Sequence, residues 1–438
     1  MIGAFFTVLG CIFLAVLTQR WWKSYLNPVT LGVLAWTPAL IMIHFPPLFV
    51  SPIYIHQNRD LSFLVYIAMG LGFLGFWAGC AFAKAFSKPD AFEVQAERLR
   101  FRVDPVRLLI LFGIGLAIFL YSYLNSGLLD LAYMDQQQVA ESRLALHIGP
   151  LSFVMLLMDI AAVGFYARFL QTGRWLYAMP ILIALLAYGA TLQKSPIVWI
   201  LTAGVFVSAL HPHAFYELVL RRAITQLGLA VVAAGSIAGL AATNTARGIT
   251  AATLTTAPSP FIEQLYIYTG ATAIKNLSVT LEGYLPSDGP TFGAYIIRPL
   301  LWNFVDRDMF ASGRYFEGVN AATYLNTAWI DFRWAGFVIT PFLTGVLVML
   351  FIRFALSGSL AGLIFGAIAA RAVVFTIGTD VIFETVTWYT LILALLASYV
   401  SKSHRPIAAP GASAPATPGI SRPMAAPPRP PEERSPAA

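Results

Sequence analysis

The sequence predicts an all-α polytopic membrane protein with about eleven transmembrane helices and one large extracytoplasmic loop or cap. Three observations predict it. Of 438 residues, 58% are apolar and only 11% are charged, whereas soluble domains average roughly half apolar and about a quarter charged. Several stretches run for about 18 residues or more with few charges, enough to cross a ~30 Å hydrocarbon core. The connections between them alternate sharply in positive charge.

Taken in order, the apolar runs place spans at about 2–18, 29–50, 61–83, 105–124, 148–168, 175–190, 195–211, 223–242, 335–353, 358–377 and 383–400. One set of connections carries Arg20 and Lys23, then Lys84, Lys88, Arg98, Arg100 and Arg102, then Arg168 and Arg174, Arg221 and Arg222, Arg353, and Lys402 and Arg405. The short loops of the other set carry only Arg59, Arg143 and Lys194. The positive-inside rule then places the N-terminus outside and the C-terminus in the cytoplasm, and an odd number of spans agrees. The first apolar run has its basic residues after it rather than before it, the reverse of a cleaved signal peptide, so it reads as a retained helix of an inner-membrane type of protein. The organisation is therefore residues 1–242 with helices one to eight, an extracytoplasmic segment at 243–334, residues 335–400 with helices nine to eleven, and a tail at 401–438. Residues 125–147 also face outward and suit a surface helix. The segment 243–334 is too long for a structureless loop and reads as a folded cap or lid. From about Ser401 the chain is rich in Ala, Pro and Arg, a composition expected to be disordered.

Several superficial signals point elsewhere. The net charge of +7 does not imply nucleic acid, because the cations lie between apolar spans and form no stripe on a soluble face. Cys11 and Cys80 lie far apart in apolar runs, with no metal-ligand spacing. "GLGFLG" (Gly70 to Gly75) matches a dinucleotide fingerprint in letters, but it lies inside the third span, where close helix packing through Gly75 and Gly79 is the better reading. "DRD" (Asp306 to Asp308) reads as a solvated loop pair rather than a metal site. His211 and His213, bracketing a proline at a span end, read as surface residues.

Ionisable residues on the outward side remain. Lys194 lies in the short hairpin "YGATLQKSPIVW", where it either snorkels or binds a ligand. Arg247 follows the eighth span, Arg298 lies in "GAYIIRPLLW", Arg314 lies in "ASGRYFEGVN", and Arg143 lies in the earlier outward segment. Cations gathered at one membrane face suit a phosphate-bearing lipid head group, which Arg binds bidentately. Asp159 and Arg371 fall within spans. Either alone in lipid costs at least ~2.5 kcal/mol, so each is expected to face protein, with mutual pairing left open. Asp380 and Glu384 start the last span and are candidates to line the same region.

The most polar stretch runs directly into a span: "FEGVNAATYLNTAWIDFRWAGFVIT", residues 316–340. With the residues that follow it resembles the signature of oligosaccharide repeat-unit polymerases, the Wzy-type polymerases of O-antigen, capsule and exopolysaccharide assembly. Gly318, Asn320, Thr323, Asp331, Phe332 and Gly336 match as they stand. The family usually has a glycine after the Asp-Phe pair, where this chain has Arg333 and Trp334. The span number, the large late outer loop and the short basic hairpin before it agree with the family as well.

The resemblance implies a GT-C-like membrane glycosyltransferase that transfers a growing glycan en bloc from undecaprenyl pyrophosphate to a new lipid-linked repeat unit. It implies Arg247, Arg314, Lys194 and Arg298 as pyrophosphate-binding residues, Arg314 counted also among the catalytic ones, and Arg143 and Asn320 as further substrate-binding residues. Glu317 and Asp331 become candidates for the base or for acceptor positioning, with helix capping an equal alternative for Asp331. The leaving group is already activated, so no metal, cofactor, ATP or nucleotide sugar is called for. Expected partners are the lipid-linked oligosaccharide, the bilayer and a chain-length-determining co-polymerase. An O-antigen ligase is the nearest alternative, but such enzymes place a His in the large outer loop. The six histidines here, at 44, 56, 147, 211, 213 and 404, all lie outside 243–334. A lipid-linked oligosaccharide flippase suits short connections and internal repeats better than a ninety-residue outer segment. Nothing specifically supports a purely structural envelope protein.

Overall fold

The computed structural model describes residues 2–22, 27–44, 61–86, 101, 103–128, 138, 141–142, 145–146, 151–191, 194–221, 271–282, 292–297, 323–375 and 380–401. Twelve helices of nine residues or more organise them: α1 (Ile2–Trp22), α2 (Pro28–His44), α3 (Phe63–Ala85), α4 (Pro105–Asn125), α5 (Leu156–Thr172), α6 (Met179–Ala190), α7 (Lys194–Leu210), α8 (Ala271–Leu281), α9 (Tyr324–Phe332), α10 (Gly336–Ala355), α11 (Leu360–Phe375) and α12 (Thr385–Ser401). Four helical segments are long and apolar enough to cross a membrane: Phe63–Ala85, Pro105–Asn125, Leu151–Thr172 and Tyr324–Ala355. Five shorter apolar helices accompany them, which makes the body that of a membrane-embedded α-helical protein. The predicted eighth span (223–242), the surface helix expected at 125–147 beyond its first few residues and isolated positions, and the tail from 402 onward lie outside the described residues.

Local chemistry fixes the helix ends. Asp104 accepts the Val106 N–H at 2.9 Å with Pro105 at the first helical position, which pre-sets the φ of that turn. Ser62 caps α3 through the Leu64 N–H at 3.3 Å, and Asn27 accepts the Thr30 N–H at 2.9 Å ahead of α2. The capped end of α4 is tied to the end of α12, since the Asp104 N–H donates to the Ser401 carbonyl at 3.0 Å and Arg107 Nη1 to the Val400 carbonyl at 2.8 Å. His211, expected at the surface, is half-buried, because Phe101 packs against its ring at a centroid distance of 5.4 Å.

The most extensive helix pair is α3 with α10. A Cβ added at Gly75 would lie 2.7 Å from the Val338 carbonyl oxygen, and one at Gly79 would overlap the Phe342 carbonyl. The glycines therefore serve close packing, as the sequence suggests, and the pairing order shows that the two helices run parallel. At 1.5 Å per residue Gly75 is about 18 Å down α3 and Val338 about 3 Å down α10, so α10 begins about 15 Å below the start of α3. The space beside the upper part of α3 is filled by α8 and α9. Ile274 and Leu277 of α8 and Tyr324, Leu325 and Ala328 of α9 share a buried cluster with Trp36, Leu40, Val65, Met69 and Phe337.

Between α9 and α10 the chain doubles back. Arg333 has φ 53° and ψ −134°, a conformation glycine takes without penalty and an L-residue reaches at a cost of about 1–3 kcal/mol. Position 333 is thus one where the backbone favours a glycine. The Arg333 guanidinium lies 5.5 Å from the centre of the Trp329 ring, and that contact offsets part of the strain, typically about 0.5–1 kcal/mol. Arg333→Ala keeps the strained backbone and loses the ring contact, whereas Arg333→Gly removes the strain. The expected order of thermal stability in detergent is Gly above Ala by about 1–2 kcal/mol, and equal melting of the two variants would contradict the bend.

Candidate functional site

Of the residues that matched the signature and are described, Asp331, Phe332 and Gly336 gather at the α9–α10 bend beside the turn 292–297, while Thr323 stands at the opposite end of α9, beside α8. Thr323 precedes α9, and its Oγ1 donates to Asn326 Oδ1 at 2.8 Å. Asn326 Nδ2 in turn donates to Thr280 Oγ1 of α8 at 2.9 Å, so one amide ties α8 to α9. Thr327 donates to Asp380 Oδ2 at 2.8 Å, joining α9 to the segment ahead of α12. The Ser62 N–H donates to Ser278 Oγ at 3.3 Å, joining α8 to the start of α3. Each bond satisfies a polar group that a low-dielectric interior would otherwise leave costly.

Asp331 lies in the last turn of α9, two residues beyond Trp329, rather than at the start of the span. It is 1% exposed. Its Oδ1 accepts the Tyr295 N–H at 3.0 Å and its Oδ2 accepts the Ile296 N–H at 3.2 Å. Its own carbonyl accepts the Phe292 N–H at 2.9 Å. Asp331 therefore caps a single helical turn, closed by the Ile297 N–H on the Gly293 carbonyl at 3.1 Å, from some thirty-five residues further along the chain. Phe332 covers the same turn, and a Cβ added at Gly293 would lie 3.1 Å from its ring. Gly336 faces the Ala328 carbonyl with no room for a side chain.

No family model, no curated protein and no solved structure matches the chain.

The arrangement therefore speaks through its own chemistry. Lys275 of α8 is 5% exposed, and burial lowers its ammonium to about 8, which leaves it mostly charged near neutrality. Asn276, Thr280, Thr323 and Asn326 are buried with it. Arg371 Nη2 stands 3.9 Å from Glu384 Oε2 in a loose ion pair. The two intramembrane charges noted in the sequence have separate partners: Asp159 accepts from the Tyr188 hydroxyl at 3.1 Å, and Arg371 faces Glu384. Asp380 and Glu384 are both drawn in, the first to the signature helix and the second to Arg371. Ammonium, guanidinium, carboxylate and amide groups held inside an apolar helical body are of the kind that hold an anion and orient hydroxyl groups. Among the described residues no three His, Cys, Asp or Glu side chains converge to hold a metal ion.

Of the other site residues expected from the sequence, Lys194 opens α7 with its backbone. Arg143, Arg247, Arg298, Arg314, Glu317 and Asn320 lie outside the described residues. Lys275, Thr280 and Asn326 were not singled out as site residues. Their signal was the amphipathic spacing of "ATAIKNLSVTL" and "YLNTAWIDF", which puts apolar residues on one helical face inside a segment read as a cap.

Proposed function

We propose that the chain is a membrane polymerase of surface polysaccharide, with about eleven spans in a GT-C-like arrangement and its N-terminus outside the bacterial inner membrane. It transfers an undecaprenyl-pyrophosphate-linked glycan en bloc onto a lipid-linked repeat unit. The observation that carries this reading is the α9–α10 bend: Asp331, Phe332 and Gly336, three residues of the family-like run, each make a specific contact there.

In the proposed reaction the acceptor hydroxyl oxygen attacks the anomeric carbon of the donor glycan. The carbon–oxygen bond to pyrophosphate breaks, undecaprenyl pyrophosphate leaves as an anion, and the hydroxyl proton passes to a carboxylate. Arg247, Arg314, Lys194 and Arg298 are assigned to the pyrophosphate, where fixed cations stabilise charge as it develops, and Arg143 to the substrate. Glu317 is assigned the proton, with Asn320 orienting the acceptor, and Asp331 is assigned positioning because both its carboxylate oxygens already accept backbone N–H groups.

Deleting the gene and sizing the surface glycan tests the reading. Loss of a polymerase leaves single repeat units on the terminal acceptor or abolishes the exopolysaccharide. Loss of a ligase leaves polymer on undecaprenyl pyrophosphate, and loss of a flippase traps repeat units facing the cytoplasm. Full-length polymer in the deletion strain ends the polymerase reading. In complemented cells, Arg247→Ala and Arg314→Ala are each expected to abolish polymer at normal protein levels, and normal chain length in both would overturn the cation assignment.

A further inference from the structure

We propose that Asp331 is a latch residue: with Phe332 it fastens the turn 292–297 to the α9–α10 bend, and its contribution is positional rather than chemical. One residue accepts three hydrogen bonds from one short turn, through two carboxylate oxygens and a carbonyl. The turn presents the N-terminal amides of a helical turn to a carboxylate, the arrangement in which an anion neutralises orphan N–H groups and the local dipole. Tyr295 is buried by the contact, while Phe292 and Ile297 at either end of the turn stay exposed.

A second observation is independent of those bonds. Among the described residues only two non-glycine residues have positive φ, Phe292 at 49° and Arg333 at 53°. One begins the latched turn and the other follows the latching pair. Bulky residues hold such conformations only where surrounding contacts over-determine them, and such strain gathers at functional contacts. The latch therefore holds both of its backbone segments in conformations that neither would adopt alone. The glycine Gly293, at φ 92°, supplies the close approach under the Phe332 ring.

The latch places the turn 292–297 in fixed register with the span that begins at Gly336. Its consequence for catalysis rests on the polymerase reading, but its existence does not. The test is backbone hydrogen–deuterium exchange of the full-length protein in lipid nanodiscs, read at the amides of Tyr295 and Ile296. Asp331→Ala is expected to speed exchange there by about ten-fold or more, with α3 and α10 unchanged. Asp331→Asn retains an acceptor for the Tyr295 N–H and is expected to recover part of the protection. Glycan length is then measured for the same variants in the deletion strain. Recovery of polymer by Asn in step with recovered protection supports the latch. Unchanged exchange in Asp331→Ala would show that the turn is not held by this residue. Wild-type protection with polymer lost in Asp331→Asn would show that the carboxylate acts chemically, which overturns the positional role while leaving the polymerase reading standing.

Discussion

Gly79→Leu is expected to abolish the folded protein, and Gly79→Ala to destabilise it by more than about 3 kcal/mol. In a bilayer, helices gain little from hydrophobic burial against one another, so association depends on van der Waals contact between closely approaching backbones. At Gly79 that approach is as tight as it can be. A Cβ would overlap the Phe342 carbonyl, with the Phe342 carbonyl carbon at 2.9 Å and its Cα at 3.1 Å. No rotamer change relieves a clash with backbone, so the helices must part along the seam. Gly345 on the facing helix would clash in the same way with the Phe76 carbonyl, while the Cys80 thiol bonds the Gly345 carbonyl at 3.6 Å. Overpacking of an ordinary core costs about 1–3 kcal/mol, and separating two backbones costs more.

The same helix supplies the control. A Cβ at Gly70 meets nothing within 4 Å, one at Gly72 meets the flexible end of Leu325 at 2.8 Å, and one at Gly75 meets the Val338 carbonyl at 2.7 Å. The expected order of damage for alanine is Gly70 below Gly72, then Gly75, then Gly79. Gly70→Ala gains helix propensity, up to about 1 kcal/mol. A dinucleotide site built on "GLGFLG" would instead make Gly70 critical and Gly79 dispensable. Size-exclusion chromatography of fluorescently tagged variants gives the order directly.

These glycines show why parts of the fold could be read from the chain and parts could not. A span is announced by a local apolar run, so ten of the eleven runs fall on described helices, four of them in segments long and apolar enough to cross a membrane. The packing of Gly75 and Gly79 was legible because small residues recur at helical spacing in one span. The role of Asp331 was not, since its partners Tyr295 and Ile296 lie thirty-five or more residues away and donate through their backbones. Backbone donors leave no mark in a side-chain pattern. Capping was the right physics for Asp331, but the turn it caps is distant in sequence. Asp159 was legible as a buried charge needing a partner, and Tyr188 was hidden on the next helix for the same reason. The strained Arg333 was marked only by its departure from the family-like pattern. A missing glycine is a local signal, but its meaning required the φ of 53°.

Gly336→Ala is the sharpest test of the bend as a whole. A single methyl there would overlap the Ala328 carbonyl, with the carbonyl carbon at 2.6 Å and the Ala328 Cα at 3.3 Å. Residues eight apart on one continuous helix stand about 12 Å apart along the axis, so this contact exists only because α9 folds back on α10. The methyl cannot be accommodated without opening the bend. Opening it separates Trp329 from Phe337, whose rings lie 5.7 Å apart, and withdraws Phe332 and Asp331 from the turn they hold. The expected cost exceeds about 3 kcal/mol, combining a backbone clash with lost core contacts. Protein that survives is expected to show fast exchange at Tyr295 and Ile296 and, on the proposed polymerase reading, short glycans in the deletion strain. Ala335→Ser, one residue earlier on an exposed position, is expected to change neither. A Gly336→Ala protein with wild-type stability and full-length polymer would mean that α9 and α10 do not meet at the bend.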